Sequence, residues 1–109
     1  VQDNFTIMKE EPFGPLVPVL TFKDFDEVVE RANNNDLGLC SYLYTNSMDK
    51  ANRASEMMET GCVAVNTAAV AVAEAPFGGI KQTGYGREGG SMAIKDYLNI
   101  KYTHMGLKT

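Results

Sequence analysis

The sequence predicts an α/β fold with a mostly parallel sheet. Three observations carry that prediction: short β-branched runs, amphipathic helical segments that alternate with them, and capping residues at the boundaries between the two. A β-α-β-α-β order calls for parallel pairing through right-handed crossovers, with the helices covering the sheet.

Leu16 to Phe22 (LVPVLTF) reads as the first strand, bounded by Pro15 and Lys23-Asp24, with Pro18 confining it to an edge or an irregular stretch. Phe25, Val28, Val29 and Ala32 then fall at i, i+3, i+4 and i+7, one apolar stripe on a helix that Asp24 caps and Glu27 reciprocally closes. Asn33-Asn34-Asn35 and Gly38 end it. Leu39 to Tyr44 is the second strand. Asn46 and Ser47 are cap candidates for a second helix, on which Met48, Ala51, Ala54, Ser55 and Met58 share a face and Thr60-Gly61 is the stop. Cys62 to Asn66 is the third strand. Residues 67 to 90 hold six of the chain's ten glycines without a regular period and read as a long ordered loop, the kind of segment in which function concentrates. A short helix from about Ser91 to Tyr97 follows. Leu98 to Thr103 then alternates apolar and polar residues, a strand with one wet face that needs a partner.

A chain of 109 residues suits one domain or part of one. Its 44% hydrophobic and 22% charged content is that of a globular protein, and a net charge of −4 with scattered Lys and Arg argues against a nucleic-acid partner. The small apolar run Ala68 to Ala73 is far below the roughly 20 residues needed to cross a bilayer, so no membrane association is expected. The first ten residues lack the basic-then-apolar order of a secretory leader. Cys40 and Cys62 have neither CxxC spacing nor histidine partners, which predicts small buried apolar residues rather than a metal site, and a cytoplasmic setting.

Two glycine- and proline-punctuated segments carry the chemistry. In Lys9-Glu10-Glu11-Pro12-Phe13-Gly14-Pro15, the Glu11 carboxylate is a suitable acceptor for the paired hydroxyls of a ribose. Phe13 can pack on a flat heterocycle, and the prolines stiffen the segment. The same residues also suit an acidic surface turn with one buried Phe. In Ala75-Pro76-Phe77-Gly78-Gly79-Ile80-Lys81, the glycines permit close backbone approach and Phe77 offers an apolar wall, although a tight turn with a core Phe uses the same pattern. Glu88, in Gly84-Tyr85-Gly86-Arg87-Glu88-Gly89, lies near the start of the last helix, where a carboxylate is favoured. His104, the only histidine, lies away from both segments and carries no role.

Taken together, these motifs resemble the C-terminal part of an NAD(P)-dependent aldehyde dehydrogenase. The resemblance covers nearly the whole chain. It implies a three-layer α/β catalytic-domain piece over residues 1–97, and over residues 98–109 the terminal strand of an oligomerisation arm that pairs with a neighbouring subunit of a homo-oligomer. The implied reaction is oxidation of an aldehyde to a carboxylic acid with NAD or NADP. The cysteine nucleophile and glutamate base of the family lie upstream of the Glu-x-Phe-Gly-Pro segment, so the chain by itself is expected to be inactive and to contain no catalytic residue of its own.

By the same resemblance, Glu11 holds the nicotinamide ribose and Phe13 limits travel of the nicotinamide ring. Phe77 lines the aldehyde tunnel, and Glu88 belongs to a proton-release path. The runs Gly78 to Gly84, Gly86 to Gly89 and Asp96 to Tyr102 look most like the succinate-semialdehyde dehydrogenase branch. That branch commonly has a serine six residues before the Phe of Pro-Phe-Gly-Gly to bind the substrate carboxylate, whereas Ala71 stands here. An alanine methyl cannot donate that bond, which is worth roughly 1.5 to 3 kcal/mol. A different semialdehyde or an uncharged aldehyde is therefore open. The contrasting expectation is a non-catalytic binding or oligomerisation module derived from the same fold.

Overall fold

In the computed structural model, which describes residues 1–108, helix α1 (Phe25–Asn33) begins where its capping chemistry places it. Asp24 Oδ1 accepts the Glu27 amide at 2.9 Å. Glu27 reciprocates one residue further out than a standard capping box, its Oε2 accepting the Lys23 amide at 2.9 Å. Helix α2 (Met48–Met57) is capped by Ser47, whose Oγ accepts the Lys50 amide at 3.3 Å. Of its expected apolar face, Ala51 and Ala54 are buried. Met48, in the first turn, is exposed, and the helix stops at Met57, before Thr60-Gly61.

The strands are β1 (Leu37–Gly38), β2 (Cys40–Leu43), β3 (Cys62–Val65) and β4 (Ile80–Lys81). The β2-α2-β3 unit is parallel, as the alternation predicts, with Cys40 opposite Cys62 and Leu43 opposite Val65. The expected second strand forms as β2, and β1 precedes it at Leu37 and Gly38, where the sequence pattern marks only the end of the first helix. β1 pairs antiparallel with β4, so a segment read as loop supplies a strand, and in place of one mostly parallel sheet the described residues form two two-stranded sheets, β1-β4 antiparallel and β2-β3 parallel.

The two helices are tied to each other at both ends. Arg53 Nη2 meets Asp26 Oδ1 at 2.6 Å and its guanidinium lies 4.6 Å from the centre of the Phe25 ring. At the far end, Asn33 donates to the Met57 carbonyl and accepts from the Glu59 amide, both at 2.8 Å. The buried apolar residues are Val29, Ala51, Ala54 and Ala64, a thin core of mostly small side chains.

Two expected strands form no ladder among the described residues. Residues 16–22 run extended, with Val17 and Val19 exposed. Pro18 removes one ladder donor, and the segment is held instead by Arg31, which donates to the Thr21 carbonyl at 2.9 Å. Residues 98–103 are likewise unpaired, with Ile100 and Tyr102 projecting into solvent. Thr109, the last residue of the expected arm, lies outside the described residues. The short helix expected over Ser91 to Tyr97 is a 3₁₀ turn, Ala93–Tyr97. Its i→i+3 bonds run from the Lys95 amide to Met92 and from the Leu98 amide to Lys95. The radius of gyration is 19.4 Å, against about 13 Å for a compact domain of this size. Much apolar surface that a self-contained domain would bury thus faces outward.

Candidate functional site

The glycine-rich segment folds back on itself through one reciprocal bridge. The Phe77 amide donates to the Glu88 carbonyl and the Glu88 amide to the Phe77 carbonyl, both at 2.7 Å. Gly84, Gly86, Gly89 and Gly90 have positive φ, which lets the chain reverse between the two arms. Arg87 fastens the inside of the turn, with Nη1 donating to Gly79 O at 2.8 Å and to Gly86 O at 2.7 Å. From outside, Asp96 Oδ2 accepts the Arg87 amide at 2.8 Å. The 3₁₀ turn therefore serves as a platform that presents Asp96 to the loop.

The result is a cleft of about 560 Å³ in which half-buried Phe77 and exposed Glu88 share the wall with Leu39, Thr83 and Tyr97. Lys81 holds the strand that enters the loop. Its Nζ donates to the Asn33 and Asn35 carbonyls at 2.9 and 3.0 Å and pairs with Glu59 at 2.6 Å, covering the carbonyl end of α1.

Glu11 lies in a separate, wider groove bordered by Lys9, Glu10, Pro12, Arg31 and Gln82. The Arg31 charge is already matched within the chain. Asp3 grips its guanidinium through both carboxylate oxygens at 3.0 and 3.1 Å, and Glu27 meets it at 3.2 Å. The Asp3 hydrogen bond, foremost among these contacts, pushes Arg31 above its ordinary value. The Glu11 carboxylate, by contrast, is exposed. Gly84 and Tyr85 border both depressions and form the ridge between them.

The structure thus brings Phe77 and Glu88 together but leaves the other expected site residues apart. Phe13, 96% exposed, does not line the Glu11 groove, and Ala71 lies exposed on the approach to the loop, outside both depressions. The carboxylate that joins the last turn to the loop is Asp96, a residue of that turn, which accepts the Arg87 amide. Sequence reasoning missed the placements of Lys81, Tyr85, Arg87 and Asp96. The spacing of Gly84 and Gly86 around Tyr85 marked a reversal, but the partners of Lys81 and Asp96 are set by long-range folding. Among the described residues, no group of three or more His, Cys, Asp or Glu is gathered to hold a metal, and no helix is long and apolar enough to cross a membrane.

Comparison with known proteins connects this arrangement to one family. The chain is 52% identical over 106 residues to 3-sulfolactaldehyde dehydrogenase of Pseudomonas putida, an alignment that covers 97% of the chain and 22% of the relative. It is 45% identical over 107 residues to the NADP(+) succinate-semialdehyde dehydrogenase GabD of Escherichia coli K12, covering 98% of the chain and 22% of the relative. It spans about a fifth of the length of the curated relatives it matches. Among solved structures, succinate-semialdehyde dehydrogenase from Burkholderia pseudomallei superposes with a TM-score of 0.90 at 43% identity, covering 94% of this chain and 21% of that one. An NAD+ complex of aldehyde dehydrogenase from Bacillus cereus superposes with a TM-score of 0.89 at 44% identity, covering 93% and 21%. Residues 1–103 match the model described as the aldehyde dehydrogenase family, and to that family the chain belongs.

Proposed function

We propose that the chain is the C-terminal part of an NAD(P)-dependent aldehyde dehydrogenase that oxidises an aldehyde, of semialdehyde type, to a carboxylic acid. The observation that carries this reading is the pair of adjoining depressions, with Glu11 in one and Phe77 and Glu88 in the other, divided by the Gly84-Tyr85 ridge. A cofactor and an aldehyde held on either side of such a ridge meet at its edge. The residues present fit the nicotinamide ribose: Glu11 is an exposed carboxylate that can accept from two hydroxyls, and Phe13 is a free aromatic ring on the same stiff segment. When bound, NAD or NADP supplies the hydride acceptor. Phe77 presents an apolar surface to the aldehyde chain, and Glu88 offers a carboxylate at the rim that can take up a proton released there.

The relatives named for 3-sulfolactaldehyde, succinate semialdehyde and glutarate semialdehyde act on aldehydes with an anionic group at the far end. Ala71 supplies no donor for such a group, so its anchor belongs to other residues of the complete enzyme. In the three-layer catalytic domain of that enzyme, residues 1–97 form part of the sheet and its cover. Leu98, Ile100 and Tyr102, exposed at alternate positions, suit an arm that pairs with a second subunit in a homo-oligomer.

In the complete enzyme, Glu11→Gln is expected to weaken nicotinamide positioning by about 10- to 100-fold, the loss of a charge-assisted hydrogen bond. Phe13→Ala is expected to speed cofactor dissociation. Stopped-flow hydride transfer and cofactor-release kinetics test both, and unchanged rates in both variants remove the assignment. Residues 1–109 alone are expected to yield no NADH or NADPH from a semialdehyde. Steady turnover by the purified chain would show that the nucleophile lies within it.

A further inference from the structure

Cys40 and Cys62 are the chain's two cysteines, and neither borders the depressions described above. They open β2 and β3 and stand directly opposite one another in the parallel ladder. Residues in register on neighbouring strands project from the same face about 4.8 Å apart. That lies within the roughly 4.4 to 6.8 Å Cα separation over which a disulfide closes. Both thiols are free and half-buried. Burial, and then the charge and hydrogen bond of Cys62 beside it, push the Cys40 thiol up. Cys62 Sγ in turn lies 3.8 Å from the Gly78 carbonyl oxygen, within reach of an S–H···O hydrogen bond to the wall of the Phe77 cleft.

The geometry points to Cys40 and Cys62 as an oxidative modification site, a dithiol that a peroxide closes into an intrachain disulfide. With hydrogen peroxide, one thiolate attacks the O–O bond, becomes a sulfenic acid and releases one water. The second thiol displaces the sulfenic oxygen as another water while the S–S bond forms. Two thiols lose two electrons and two protons, and the peroxide is reduced to two waters. Burial disfavours the Cys40 thiolate, so attack on the peroxide by Cys40 is slow. Because the two cysteines share one ladder register, closure joins β2 to β3 covalently. Closure also withdraws the Cys62 S–H from Gly78 and so carries the redox state to the cleft wall.

Peptide mapping of the full-length protein tests the site. The folded protein is treated with hydrogen peroxide, alkylated before unfolding and digested with trypsin without reductant. Cleavage after Arg31, Lys50, Arg53 and Lys81 leaves the two cysteines on separate peptides, 32–50 and 54–81. The expected product is these two peptides joined, lighter than their sum by two hydrogens and parted by dithiothreitol. It forms faster in the folded protein than in urea, because the strand register supplies the proximity. Cys62→Ser yields no joined peptide and leaves Cys40 open to alkylation. Cys40→Ser stops Cys62 at the sulfenic or sulfinic acid. Independent alkylation or over-oxidation of both cysteines in the folded wild type, or a joined peptide that forms no faster than in urea, overturns the proposal.

Discussion

Gly61→Ala is expected to lower stability by about 3 kcal/mol, because the added methyl has nowhere to go. A Cβ built there overlaps the Gly78 carbonyl and comes within 2.9 Å of Gly79 Cα. Both obstacles are backbone atoms, which cannot turn aside as a flexible side chain does. Gly61 also precedes β3 directly and donates its amide to Gly38 O at 3.0 Å. The displacement therefore reaches the β2–β3 register on one side and the Phe77 wall on the other. Gly61 is not among the glycines with positive φ, so the cost is one of contact rather than of backbone strain. Gly14→Ala is the control, since a Cβ at Gly14 meets nothing within 4 Å. Urea midpoints of the two variants measure the difference, and a Gly61→Ala midpoint no lower than that of Gly14→Ala would refute the contact.

Lys81→Met is expected to cost about 2 kcal/mol, the value of hydrogen bonds to a charged donor reduced for partial exposure. The lysine side chain is 24% exposed and its Glu59 partner 55%. The substitution keeps an apolar stem of similar length but leaves the Asn33 and Asn35 carbonyls without their ammonium donor at the end of α1. The effect should extend beyond the helix, because Lys81 belongs to β4, whose pairing with β1 leads into the glycine-rich loop. Denaturant midpoints give the cost, and hydrogen exchange gives its location. Faster exchange at the Asn34 amide, which closes α1 onto Glu30 and Arg31, together with the Gln82 amide, which bonds to Asp36 O, is the expected pattern. A stability change below about 0.5 kcal/mol would show that the carbonyls need no such donor.

Both helices were legible because their determinants are local. Asp24 and Ser47 each meet an amide three residues ahead, and the apolar spacing of Val29, and of Ala51 with Ala54, marks the inward faces directly. The parallel union of β2 and β3 was legible at one remove, since a helix between two strands leaves little other choice. The segments 16–22 and 98–103 misled because residue pattern reports the capacity to pair, whereas a ladder requires a second backbone. β4 was hidden for a related reason: two residues carry too little pattern to announce a strand, and their partner lies more than forty positions upstream.

The candidate site divides along the same line. Glu11, Phe77 and Glu88 stood out by residue type and spacing, and the aldehyde dehydrogenase family was recognisable from the motifs that hold them. By itself, then, the sequence determined the helices, the parallel unit, the family and the residues with the chemistry to act. The tertiary structure alone decided that Phe77 and Glu88 share a wall while Phe13 and Ala71 lie apart, that Lys81 covers the end of α1, and that Cys40 faces Cys62. Capping and periodicity are written within a few residues, but each of those juxtapositions depends on how distant segments approach one another in the fold.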